Sequence, residues 1–141
     1  VIESKANRQI SKQFRKDIHI NITAYNRNLL ATGEVPSEAV KSELGNMLSS
    51  IDNVRTVHND VKVSGATSLT SRGSDSLITS SIKLRFVKSK AFKADHVKVI
   101  TENGTVSLLG IVYRAEADAA TGIASSTSGV QRVVRLFEYL D

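Results

Sequence analysis

The chain has no cysteine and no tryptophan, only one proline (Pro36), and aromatic residues make up 5% of it. Without cysteine, disulfides, thiol nucleophiles and thiolate metal sites are excluded, although the compartment is not thereby fixed. With so few aromatics the core must be built from Val, Ile, Leu and Ala. No apolar run approaches the roughly 18 residues that cross a bilayer. The sequence begins at Val1 without a methionine and is read as a trimmed or mature chain, so the lack of an export signal carries no weight.

What is present supports a packed protein. In 141 residues, 40% are hydrophobic and 23% charged, which suits one ordinary domain or two very small ones. The net charge of +5 favours anionic partners, either nucleic acid or acidic lipid headgroups, though plain solubility accounts for it equally well.

The strongest signal is an internal repeat. HINITAYNRNLLATGEV (19–35) lies over HVKVITENGTVSLLGIV (96–112), with His19 on His96, Asn26 on Asn103, Gly33 on Gly110 and Val35 on Val112. Gly45 then falls on Gly122, and after a one-residue slip Val54 falls on Val130 and Val57 on Val133. Each copy reads alike. An alternating strand leads to a turn (Asn26–Asn28, or Glu102–Thr105 with its Asn-Gly hairpin signal) and a returning strand. A helix follows, starting at Pro36-Ser37-Glu38 or Arg114-Ala115-Glu116, with Pro36 suited to a first turn. Val40, Leu44, Met47 and Leu48, or Ala117, Ala120, Ile123 and Ala124, give these helices an apolar face. Asn53 and Gly129 read as left-handed stops before the closing strands.

Front helices are expected over 2–14 and 76–92. The expected fold is therefore α+β. It has two tandem units, each helix–hairpin–helix–strand, with a three-stranded mixed sheet covered on one face by two helices. The expected boundaries are domain 1 at 1–64, a Ser/Thr/Gly-rich flexible linker at 65–73, and domain 2 at 74–141, the whole a monomer with its units packed together. Gly33 and Gly110 are expected to give clearance where a helix crosses the second strand. Gly45 and Gly122, mid-helix, are expected to mark close packing on the front helix.

The second front helix carries one stripe too many. Ile78, Ile82 and Phe86 form a core-facing row, while Leu77, Leu84, Val87 and Ala91 form a second row on another side. Lys83 borders the second row on one flank, and Arg85 and Lys88 on the other. An apolar strip edged by cations is the pattern of a helix lying on a membrane surface. The residues alone leave open that this strip packs on the first unit, meets lipid, or meets nucleic acid. The exposed aromatics that stack bases are scarce.

The units resemble the BON domain, through ITAYNRNLLATGEVPSEAV and VITENGTVSLLGIVYRAEADAA. The whole chain, with SDSLITSSIKLRF and SGVQRVVRLFEYL, resembles the dual-BON-domain outer-membrane lipoproteins. The resemblance implies a non-enzymatic protein on the periplasmic face of the bacterial outer membrane, held by a lipid attached upstream of Val1. It further implies a role in membrane integrity and at the division site, with anionic phospholipid bound through the first helix of the second domain. Where such proteins often carry Trp, this chain has Leu77, which lacks a polar edge for the lipid–water boundary.

Leu77, Ser81, Lys83, Leu84, Arg85, Val87, Lys88 and Ala91 are thus the expected lipid-binding residues. The partner is a phosphatidylglycerol-like membrane. The alternative is an adaptor for outer-membrane assembly proteins that uses the same surface. No catalytic residue, metal or cofactor is expected: His19, His58 and His96 have no partners at metal-ligand spacing, and the Ser-rich runs lack a nucleophile elbow.

Overall fold

The alternating strand that follows Ile18 can bury only one side, and the turn after it decides how that side is closed. Asn26 and Arg27 adopt φ of 49° and 65°, and Asn103 and Gly104 adopt 50° and 77°. Two successive positive φ values match the twist of a tight hairpin, which is why Asn and Gly stand there. A computed structural model describes residues 1–14, 18–63 and 69–141. The chain divides into two compact units, Val1–Thr67 and Ser68–Asp141.

In the first unit α1 (Ile2–Gln13) precedes the hairpin of β1 (Ile20–Tyr25) and β2 (Asn28–Val35). Then come α2 (Glu38–Ser49), β3 (Thr56–Asn59) and the short β4 (Lys62–Val63). In the second, α3 (Leu69–Lys88) precedes β5 (Lys98–Glu102) and β6 (Thr105–Val112), followed by α4 (Arg114–Ser125) and β7 (Arg132–Tyr139). Both sheets are mixed. The middle strand pairs antiparallel with the one before it and parallel with the closing strand.

The repeat extends to the register. Leu29 pairs with Val57 and Val106 with Val133, which is the one-residue slip read from the sequence. The closing strands also enter alike, Arg55 N–H donating to Arg27 O at 2.8 Å and Gln131 N–H to Gly104 O at 2.9 Å.

Each unit has its own core. Ala6, Ile22, Leu29, Ala31, Val35, Leu44, Met47, Leu48, Ile51 and Val61 fill the first. In the second, Ile78, Ile82 and Phe86 of α3 meet Val99, Val106, Leu108 and Val112 of the sheet and Ala117, Ala120 and Ala124 of α4. Small alanines let α4 lie close while Phe86 and Phe92, edge-on at 4.9 Å, supply bulk. Each such buried large side chain contributes about 1.5–3 kcal/mol.

The structure corrects several expectations. Pro36 stands before the cap, not in the first turn: Ser37 caps α2, its hydroxyl accepting from Val40 N–H at 3.2 Å. Asn53 and Gly129 are left-handed, but four residues beyond the helix ends at Ser49 and Ser125. The α3 helix begins at Leu69, so 69–73 of the stretch read as linker is helical; residues 65–68 of that stretch lie outside the described residues. It also ends at Lys88, because Phe92 must turn back to reach Phe86.

The glycines have other causes than those expected. A Cβ on Gly33 or Gly110 would strike the carbonyl oxygen of His19 or His96, so the close neighbour is the backbone leading into the adjacent strand and not one of the α-helices. Gly33 also has φ of +115°, and the parallel ladder of the first unit breaks opposite it, between the Ala31–Asn59 and Glu34–Lys62 pairs. Gly110 has no positive φ, and the second ladder runs unbroken through its pairing with Phe137. Gly45 faces the Asn59 side chain of β3, and Gly122 faces open space. Neither packs on a front helix.

Candidate membrane-facing site

An α-helix of 20 residues laid on a three-stranded sheet can bury one stripe and must leave the rest to solvent or a partner. On α3 the buried stripe is Ile78, Ile82 and Phe86, as their four-residue spacing predicts. Two polar residues finish this side. The Asp75 carboxylate accepts the N–H groups of Asn103 and Gly104 at 2.8 and 2.9 Å, and the Thr79 hydroxyl bonds that of Thr101 at 2.7 Å. Both fasten the helix to the β5–β6 hairpin, and so fix which side of α3 turns outward.

The outward side is the second stripe. Leu77 is 71% exposed, Leu84 58% and Val87 70%. Such large apolar side chains standing open in a row, rather than singly, are the informative kind of exposure. Lys83, Lys88 and Ser81 are also exposed, with Lys83 on one flank of the row and Lys88 and Ser81 on the other. Among the described residues neither lysine is in an ion pair, nor are Lys90 and Lys93 just beyond the helix. These cations are therefore available to an anionic surface.

Two of the expected residues stand apart from this group. Ala91 lies past the end of the helix, in the turn where its N–H meets the Ser89 hydroxyl at 3.2 Å, so it does not extend the stripe. Arg85 faces α4. Its guanidinium donates to Ile123 O and Thr127 Oγ1 at 2.8 Å each and to Ser126 Oγ at 3.0 Å, closing the carboxyl end of that helix. A cation there also complements the helix dipole. Asp118 of α4 pairs with Arg135 at 2.9 Å, while Glu116 accepts the Tyr113 N–H.

Asp75 was missed by sequence reasoning. Its only signal was a lone acid in the run SLTSRGSDS. Among the described residues no cluster of three or more His, Asp or Glu could hold a metal, and no helix is long and apolar enough to cross a membrane.

The family model described as the BON domain matches residues 1–65 and again 74–141. The chain belongs to the BON-domain family. Its two BON units align with the outer membrane lipoprotein DolP of Haemophilus influenzae at 36% identity, over 99% of this chain and 74% of that protein. A 21 kDa hemolysin of Actinobacillus pleuropneumoniae is 32% identical over 99% of this chain and 73% of its own length. Osmotically-inducible protein Y of Escherichia coli is 29% identical over 84% of this chain and 60% of its own. Among solved structures, the C-terminal domain of CdsD, from the type III secretion system of Chlamydia trachomatis, aligns with a TM-score of 0.41 at 14% identity, over 98% of this chain and 96% of that one.

Proposed function

We propose that this chain is a non-catalytic protein of the bacterial envelope that binds anionic phospholipid peripherally through α3. The observation that carries the proposal is the row Leu77, Leu84, Val87, exposed on a helix whose other side is already committed to its own core. Unpaired lysines on the flanks of that row add the electrostatic half. Each cation near an anionic surface contributes about 1 kcal/mol, and partial insertion of the apolar row adds a few kcal/mol. Such attachment is reversible, and stable residence needs a second signal. The name of the Haemophilus influenzae relative, an outer membrane lipoprotein, supports that signal being a lipid, on the periplasmic face of the outer membrane. A role in membrane integrity, at the division site, is the cellular setting this reading gives the protein.

Flotation of the purified chain with vesicles tests the proposal. Recovery is expected with phosphatidylglycerol vesicles, falling with salt, and is not expected with purely phosphatidylcholine ones. Equal recovery with both sinks the electrostatic part. No recovery with either, together with capture of an outer-membrane assembly protein through the same row, would make α3 an adaptor surface instead.

A further inference from the structure

The first unit carries charge that neither its own fold nor the surface on α3 uses. Lys5, Arg8 and Lys12 of α1 follow one another at spacings of three and four residues, which places them within an arc of about 60° on the helix. They project away from the buried side that carries Ala6, Arg8 by about 160°. With Gln9, Ser50, Ile51 and Asp52 they line an open pocket of about 340 Å³, the lower end of the size range for small-ligand sites.

Nearby charges usually find one another, and these have not. Among the described residues Lys5, Arg8, Lys12 and Asp52 form no ion pair and no side-chain hydrogen bond. Nor are the cations needed to close the end of α2. The Gly45 carbonyl accepts from Ser49 Oγ at 2.9 Å, that of Met47 from Ser50 Oγ at 2.6 Å, and that of Leu48 from Ile51 N–H at 3.3 Å. The pocket thus holds three uncommitted cations on one wall and one carboxylate on the other. Buried Ile51 adds an apolar side chain to the lining.

A simple polyanion would be attracted by the wall and repelled by Asp52. A ligand with an anionic head and an adjacent ammonium satisfies both. We propose that this pocket binds a small zwitterion of the phosphoethanolamine class, the phosphate held by Lys5, Arg8 and Lys12 and the ammonium by Asp52. Charge-assisted hydrogen bonds from the guanidinium fork of Arg8 give the phosphate its geometry. The site lies in the first unit and is independent of the apolar row on α3.

The test is an amide NMR titration of the full chain with O-phosphoethanolamine and, separately, with inorganic phosphate. Saturating shifts confined to α1 and Ser50–Asp52 are expected, with phosphoethanolamine the tighter ligand. Arg8→Gln should weaken it about fivefold or more. Asp52→Asn should abolish the preference over phosphate without weakening phosphate itself. Soluble and lipid sources of this head are separated by vesicles of phosphatidylethanolamine, using a Leu84→Asp chain to silence α3. Arg8-dependent recovery identifies the lipid, and saturable binding of the soluble compound alone identifies the free ester. Shifts that do not saturate, that spread over lysines of both units, or that ignore Arg8 and Asp52 overturn the proposal.

Discussion

Asp75, on the front helix of the second unit, accepts the backbone N–H of Gly104 at 2.9 Å, and its other oxygen accepts that of Asn103 at 2.8 Å. One buried carboxylate therefore holds the tip of the hairpin against the helix that bears the exposed row. Orphaning the buried N–H of Gly104 costs about 1–3 kcal/mol, and the part-buried N–H of Asn103 about 1 kcal/mol. Asp75→Ala should therefore lower the stability of the second unit by about 2–4 kcal/mol, and Asp75→Asn by less, since one acceptor remains. Urea unfolding followed through the amides of Val106 and Leu108 measures this. An unchanged midpoint for Asp75→Ala would mean that the turn holds itself.

Two glycines in equivalent-looking apolar surroundings should respond in opposite ways to a methyl group. Gly110→Ala drives a Cβ into the His96 carbonyl and should destabilise, whereas Gly122→Ala meets nothing within 4 Å. Replacing an exposed helical glycine gains about 0.5–1 kcal/mol. The expected result is a higher thermal midpoint for Gly122→Ala and a lower one for Gly110→Ala. Matching shifts would mean that the His96 carbonyl does not limit the space at Gly110.

The apolar row can be altered without touching a core. Leu84→Asp should leave the unfolding transition in place and abolish recovery with phosphatidylglycerol vesicles. Leu77→Trp should raise recovery, because an indole adds apolar area together with a polar edge suited to the interface. If Leu84→Asp floats as well as the parent chain, α3 is not the contact.

Arg85 and Lys88 belong to the same stretch of basic sequence and should separate cleanly. Arg85→Ala removes three hydrogen bonds from the end of α4 and should cost about 1.5–3 kcal/mol of stability, since bonds to a charged group are the stronger kind. Arg85→Lys should not restore it, lacking the planar fork. Lys88→Ala should leave stability unchanged within about 0.5 kcal/mol and weaken vesicle binding. A stability loss for Lys88→Ala equal to that of Arg85→Ala would erase the difference.

Local pattern carried much of this into the sequence. The repeat, the hairpin turns, the alanine-rich helix and the buried row Ile78, Ile82, Phe86 all follow from spacing and turn chemistry, and the exposed row was the remainder once that face was assigned. Long-range partners were not legible. Arg85 looks like its neighbours until Ile123, Ser126 and Thr127 are brought beside it, from 38 to 42 positions away. The start of α3 resembled a linker because Ser, Thr and Gly73 favour turns, yet that segment has no proline to stop a helix. The glycine pattern was visible, but its cause was a carbonyl from another strand, which no local window contains. Lys5, Arg8 and Lys12 drew no attention, since a charged helix surface is ordinarily solvated and only the turn at Asp52 makes it concave.

The middle strand in each BON unit receives its second neighbour only after a helix has intervened, and in parallel. A nascent or truncated unit can thus zip its hairpin early while one side of that central strand still presents bare amides and carbonyls to any passing strand. Completion waits on distant residues, which makes assembly slower than the helix content suggests. Until the last strand arrives, the half-built unit is at its most adhesive, and crowding at that moment favours mispairing between neighbouring copies.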